Sequence, residues 1–157
     1  MNWKAESMRL THKKIILSIL IACFLISIYG CSKSSEAERL SKNLSDYKLV
    51  AEYALNNCKN DKYKVIDDKA ERYVVDLSDI EDIAEIKSSV AIAQQDFSYI
   101  WIEDSYVIFW NDETKTMGLL YSEKPKKAIK SIKTWYTTME SEKIDTKFYI
   151  IGTWKSK

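Results

Sequence analysis

Residues 97–121 read FSYIWIEDSYVIFWNDETKTMGLLY and hold the three most strand-like runs of the chain. The runs 97–102, 106–110 and 117–121 are rich in aromatic and β-branched residues, which favour strands. Only three residues separate the first run from the second, and six separate the second from the third. Connections this short join antiparallel neighbours, so the stretch predicts a meander at the centre of the domain.

Both faces of this meander are apolar, because side chains alternate along a strand. Ile100 and Ile102 are predicted to point to one side, together with Val107 and Phe109 of the second run. The opposite side carries Tyr99, Trp101, Tyr106, Ile108 and Trp110. The four aromatic residues Tyr99, Trp101, Tyr106 and Trp110 form a candidate binding face, since tyrosine and tryptophan give contact area at low entropy cost. The alternative, which we favour, is that a helix covers these rings as core.

Further elements flank the meander on both sides. Apolar residues at three- and four-residue steps predict amphipathic helices over 36–58, 79–94 and 126–139. The β-rich runs 63–66 and 72–77 predict a hairpin around a charged turn. A last strand is predicted within 144–154, and 147–151 is its surest part. The predicted order is therefore α-β-β-α-β-β-β-α-β, an α+β domain with an antiparallel meander sheet and three amphipathic helices.

The start of the chain is typical of a secretory signal. Four basic residues precede an uncharged, mainly apolar run from Ile15 to Tyr29, which is 15 residues long. A transmembrane helix would need about 20 apolar residues, and this run ends at Gly30. We therefore expect a cleaved leader rather than a retained membrane span.

The end of the leader, Ile28-Tyr29-Gly30-Cys31, resembles the lipobox of bacterial lipoproteins. The resemblance implies cleavage between Gly30 and Cys31 and attachment of diacylglycerol to the Cys31 thiol, with palmitate among the acyl chains. It divides the chain into a signal peptide (1–30), a lipidated tether (31–35) and a single folded domain (36–157). The alternative is a plain signal peptide in which Cys31 is incidental. Nothing in this resemblance describes the folded domain.

The resemblance also predicts where the protein lies. Lipid on Cys31 would hold it on the extracytoplasmic side of the bacterial cell membrane. Ser32 resembles the sorting pattern for the outer membrane, if the cell has one.

Charge distribution narrows the class of partner. The leader takes four of the 24 basic residues and one of the 23 acidic residues, so the mature chain has a net charge of −2. We therefore expect no nucleic-acid partner. The charges are nonetheless uneven, with eight acids and one lysine in 76–104, and six lysines and one acid in 115–133. Two solvated faces explain this pattern, and the alternative is a bipolar surface that orients a charged partner.

Missing residue types exclude several chemistries for the mature domain. The one histidine, His12, lies in the leader, so no imidazole remains for a nucleophilic relay or a histidine zinc site. Cys23 leaves with the leader and Cys31 is assigned to lipid, so Cys58 has no disulfide partner and is predicted to be a small core residue. We expect neither a metal nor a cofactor.

The favoured function is a non-catalytic binding module of the cell envelope, of the immunity or inhibitor kind. Its partner would be a toxin or another envelope protein. An envelope hydrolase is the first alternative, with Glu103, Asp104, Asp112 and Glu113 as the carboxylates of an acid–base pair. A structural or assembly lipoprotein is the second.

Overall fold

The computed structural model describes residues 35–66, 71–111, 116–136 and 138–152. The leader, Gly30, Cys31 and the tether up to residue 34 lie outside the described residues. So do Asp112 and Glu113 in the turn after the second central strand.

All seven described strands form one antiparallel sheet. They are β1 (Lys64–Ile66), β2 (Glu71–Asp76), β3 (Tyr99–Ile102), β4 (Tyr106–Trp110), β5 (Met117–Ser122), β6 (Glu140–Lys143) and β7 (Phe148–Gly152). The spatial order is β1-β2-β3-β4-β5-β7-β6, so β7 returns beside β5 and β6 forms the outer margin. The predicted central meander of β3, β4 and β5 is confirmed.

Four α-helices and a short 3₁₀ helix accompany the sheet in the described part of the chain. They are α1 (Ser35–Ser41), α2 (Leu44–Asn57), a 3₁₀ turn (Leu77–Ile80), α3 (Lys87–Ala93) and α4 (Pro125–Trp135). The α+β class is confirmed, whereas the predicted count of three helices is wrong.

The predicted helix 36–58 is in fact two helices, α1 and α2, broken at Lys42 and Asn43. At the break, the backbone N–H groups of these two residues bond three residues back, to Arg39 and Leu40. Asparagine favours turns over helix interiors because its side chain competes with the backbone. Apolar spacing alone does not reveal such a break, since Leu40 and Leu44 keep a four-residue step across it.

The predicted helix 79–94 is also shorter than expected. Only α3 is α-helical, and a 3₁₀ helix with turns precedes it. Ile80, Ile83 and Ile86 recur every three residues, which matches the three residues per turn of a 3₁₀ helix. The backbone bonds from Ile83 to Ile80 (3.3 Å) and from Ile86 to Ile83 (3.0 Å) have the corresponding spacing.

The C-terminal part differs in two ways. The predicted helix 126–139 ends at Trp135, and an additional strand, β6, follows it. The sequence of β6 is ESEK, and it carries no apolar alternation that would predict a strand. Charged residues are common on edge strands because they discourage pairing with another chain. β7 confirms the surest part of the predicted last strand to within one residue.

A first core lies on the sheet face that carries Ile100, Phe109 and Leu119. α1, α2, the 3₁₀ helix and α3 cover this face with buried apolar residues, among them Ala37, Leu40, Val50, Ala54, Leu77 and Val90. Cys58 belongs to the same core and is 2% exposed, as expected for a small core residue. Its burial raises the pKa of the thiol to about 11.

A second core lies on the opposite face of the sheet. It joins Trp101, Ile108 and Trp110 to Ala128 and Ile132 of α4. Gly118 stands opposite Trp110 in the register of β4 and β5. A Cβ added at Gly118 would lie 2.8 Å from Trp110 Cε3 and 2.8 Å from the Phe109 carbonyl oxygen. Only glycine leaves room for the indole ring at this point.

Replacing Gly118 with alanine should therefore destabilise the domain, by about 1–3 kcal/mol of unfolding free energy, which is typical of overpacked cores. Urea unfolding monitored by tryptophan fluorescence measures the change. Ser141→Ala, at an exposed position on β6, is the matched control and should change the unfolding free energy by less than about 0.5 kcal/mol. An unchanged midpoint for Gly118→Ala would contradict the close approach.

Candidate functional site

The four predicted aromatic residues come together on one face, but α4 lies over them. Trp110 is fully buried, and Trp101 and Tyr106 are each 6% exposed. The rings of Trp101 and Trp110 meet edge to face, with centroids 5.6 Å apart. Tyr99 is half-buried at the margin of the same cluster. This face is therefore mainly a core, and only its rim reaches solvent.

A small cavity opens at that rim. It is lined by Arg72, Trp101, Glu103, Tyr106, Ile108, Ile132 and Tyr136 and encloses about 260 Å³, a volume that includes some open solvent. The guanidinium carbon of Arg72 lies 4.5 Å from the centroid of the Trp101 ring, as in a cation–π contact. The free space inside the cavity is about 10 Å³, far below the roughly 300–1,000 Å³ of most small-molecule sites. Arg72 and Trp101 pack against each other, and they do not converge on an open space.

Tyr106 ties the cavity to α4. Its hydroxyl group is hydrogen-bonded to Ser131, and burial raises the pKa of the phenol to about 12, with Glu103 adding to the rise. The phenol is therefore neutral at physiological pH and acts as a fixed hydrogen-bonding group.

The carboxylates considered for hydrolysis are not gathered into one site within the described part of the chain. Glu103 is half-buried and lines the small cavity, whereas Asp104 is exposed. The backbone carbonyl of Asp104 accepts a hydrogen bond of 2.9 Å from Lys59 Nζ. The other two candidates, Asp112 and Glu113, are among the residues that the structure does not describe.

Residues 76–85 of the acidic run and the basic run of α4 lie on opposite sides of the sheet, whereas Glu103 lines the small cavity on the side of α4. Asp76, Asp79, Glu81, Asp82 and Glu85 are exposed along the segment that covers the first core. The lysines of α4 lie over the second core. The uneven charge of the sequence thus becomes a bipolar domain surface.

The basic side includes a lysine, Lys143, that lies outside the sequence run 115–133. We call this side the lysine surface and define it by six exposed lysines, Lys124, Lys126, Lys127, Lys130, Lys133 and Lys143. Four of them line an open groove of about 750 Å³, together with Pro125, Thr146 and Tyr149. Lys143 and Tyr149 were not identified from the sequence, because they come from β6 and β7 and reach α4 only through the fold.

No ion pair joins any of these six lysines to another described residue. Other basic residues of the domain do have acidic partners: Arg39 pairs with Asp96, and Lys87 with Asp82 at 3.1 Å. Among the described residues, the positive charge of the lysine surface is therefore not engaged in ion pairs, although Glu140 lines a small cavity together with Lys133.

This arrangement works against the stability of α4. The helix has no acidic residue in its first turn, where the helix dipole favours negative charge. Lys126 and Lys130 lie four residues apart, and Lys127 and Lys130 three apart. Like charges at these spacings each cost about 0.2–0.5 kcal/mol. Charges that are unfavourable within the chain become favourable when an anion binds.

A hydrogen-bonded cluster borders the lysine surface. The Tyr121 hydroxyl lies 2.9 Å from Glu52 Oε1 and 3.0 Å from Glu123 Oε1, and Lys147 Nζ lies 2.5 Å from the same oxygen of Glu123. Burial and these two carboxylates raise the pKa of Tyr121, whereas the Lys147 ammonium group lowers the pKa of Glu123. The cluster engages Glu123, the one acid in the run 115–133, so that it does not neutralise the six lysines.

Two other kinds of feature are absent from the described residues. No group of three histidine, cysteine or acidic side chains is placed to hold a metal ion there. None of the helices described is long and apolar enough to span a membrane.

Comparisons with protein families, curated proteins and solved structures found no match. The function of the domain is therefore inferred from its described surface.

The tyrosines predict alkaline sensitivity. Because Tyr106 and Tyr121 have raised pKa values in the folded domain, the stability they contribute is complete below the unfolded phenol pKa of about 10 and is lost above it. Urea midpoints should be constant from about pH 7 to 9 and should fall by pH 11. Tyr121→Phe should flatten that fall relative to the wild-type domain. Equal slopes in the two proteins would contradict the assignment.

The cost of the lysines can also be measured. Lys126→Glu places a negative charge in the first turn of α4 and an opposite charge four residues before Lys130, and should raise the unfolding free energy by about 0.5–1 kcal/mol. Lys133→Glu makes the same charge change in the last turn, where the dipole opposes it, and should stabilise less. Urea unfolding at low salt compares the two. An equal increase would show that net charge, not position, sets the effect.

Proposed function

We propose that the chain is a bacterial lipoprotein, anchored through Cys31, whose domain is a non-catalytic binding module of the cell envelope. The observation that carries this proposal is the register of the leader. The basic start, the 15-residue run and the sequence Ile28-Tyr29-Gly30-Cys31 follow one another in the order that lipoprotein processing requires. The acyl chains of a diacylglycerol on the Cys31 sulfur would hold the domain firmly, at about 0.8 kcal/mol per buried CH₂ group.

The first helix begins close to Cys31 in the chain. α1 starts at Ser35, and Ala37 and Leu40 are already fully buried in the first core. A tether of this length spans at most about 14 Å, so lipid on Cys31 would hold the domain near the membrane.

The surface of the domain supports binding rather than catalysis. The aromatic face is covered by α4, and the cavity at its rim is small and occupied by its own side chains. An open groove lies in the lysine surface. Its exposed lysines, which form no ion pair among the described residues, are suited to holding an anionic partner by electrostatic attraction. An immunity or inhibitor protein that captures an acidic envelope protein is one form that such a module takes.

Lipidation is tested in bacterial cells that are fed an alkyne-labelled palmitate. The wild-type chain should incorporate the label and enter the detergent phase of Triton X-114, and intact mass should show removal of residues 1–30. Cys31→Ala should abolish all three results, because no thiol would remain to accept the diacylglycerol.

Cys58→Ala is the matched control and should keep both label and detergent partitioning, since Cys58 is a core thiol. A wild-type chain that remains unlabelled, or a Cys31→Ala chain that is still labelled, would refute the anchor.

A further inference from the structure

We propose that the lysine surface binds a linear phosphate polymer of the cell envelope. The ligand class is defined by its chemistry: an extended chain with one phosphodiester charge in every repeating unit. Because the protein meets such a polymer only if it is exported, this assignment rests on the function proposed above.

The extent of the surface favours an extended ligand. The groove is lined by Lys124, Lys126 and Lys127 at the start of α4, by Lys143 of β6 and by Tyr149 of β7. Lys130 and Lys133 continue the positive charge along the exposed side of α4. One helical turn advances about 5.4 Å, so that these lysines can neutralise successive charges of a polymer lying along the helix.

The residue type favours a flexible polyanion over a shaped protein interface. All six basic residues of the surface are lysines, and no arginine is among them. Arginine is enriched and lysine depleted in protein–protein interfaces, where planar paired contacts and low entropy cost matter. Lysine acts as a point charge and is a common ligand of phosphate. A diffuse row of lysines therefore suits a flexible polyanion better than a shaped acidic protein.

The acidic side of the domain adds orientation. The 76–85 segment covers the first core, on the side opposite the lysine surface, and its carboxylates are exposed. A polyanion is repelled from that side and attracted to the other. The bipolar charge would therefore turn the lysine surface towards the polymer as the two approach.

Binding is measured with the full chain in an uncharged detergent, with long-chain inorganic polyphosphate as the probe. We expect binding that weakens with salt, because each lysine that neutralises a phosphate releases counterions. The triple variant Lys126→Gln, Lys127→Gln and Lys143→Gln should bind at least tenfold more weakly. The slope of log K against log salt should fall by about 2, because each neutralised phosphate contributes about 0.7 to that slope.

Three lysines outside the surface provide the charge-matched control. Lys42→Gln, Lys62→Gln and Lys87→Gln together remove the same charge and should change affinity by less than twofold. Circular dichroism establishes that both triple variants are folded. An equal reduction of affinity in the control would overturn the site, since net charge alone would then explain binding.

Three further probes distinguish other ligands. Orthophosphate should bind far more weakly than polyphosphate, because it cannot engage several lysines at once. Tighter binding to poly-glutamate would replace the phosphate polymer by an acidic protein partner. Tighter binding to micelles that contain phosphatidylglycerol would replace it by the bilayer. A failure to bind polyphosphate leaves the lipid-labelling result unaffected, so that the two proposals fail separately.

Discussion

The pairing of β3, β4 and β5 is the constraint on which the rest of the domain depends. These strands are apolar on both faces, so that the sheet is stable only if both faces are covered. α1, α2, the 3₁₀ helix and α3 cover one face of the sheet, and α4 covers the other. Once both covers are in place, the surfaces left for binding are the outer sides of the helices and the rim of the sheet.

Much of the fold follows from local patterns. In the two strands within residues 99–110, side chains point alternately to the two faces of the sheet, because a strand has a period of two residues. This alternation assigns each side chain to the correct face. What was missed has identifiable causes. The steps of Ile80, Ile83 and Ile86 fit a period of three as well as an α-helix, and the charged β6 is a strand only because β7 pairs with it. Neither fact is contained in a local window of sequence.

The candidate site likewise combines features that local sequence predicts with features that depend on long-range packing. The lysine run of α4 is visible in the sequence, as is the aromatic face of the meander. Whether those aromatic rings bind a partner or form a core depends on where α4 packs, which is a long-range property. Likewise, Lys143 and Tyr149 join the α4 lysines only because β7 pairs with β5 and brings β6 with it.

The two edge strands of the sheet, β1 and β6, determine whether neighbouring molecules can pair through their strands. β1 offers only three residues to a neighbouring chain, and β6 offers the charged sequence ESEK. Short or charged margins discourage strand addition between molecules. Many copies could thus lie side by side on a two-dimensional surface, at a density far above that in solution. Their edge strands would not pair into a continuous sheet.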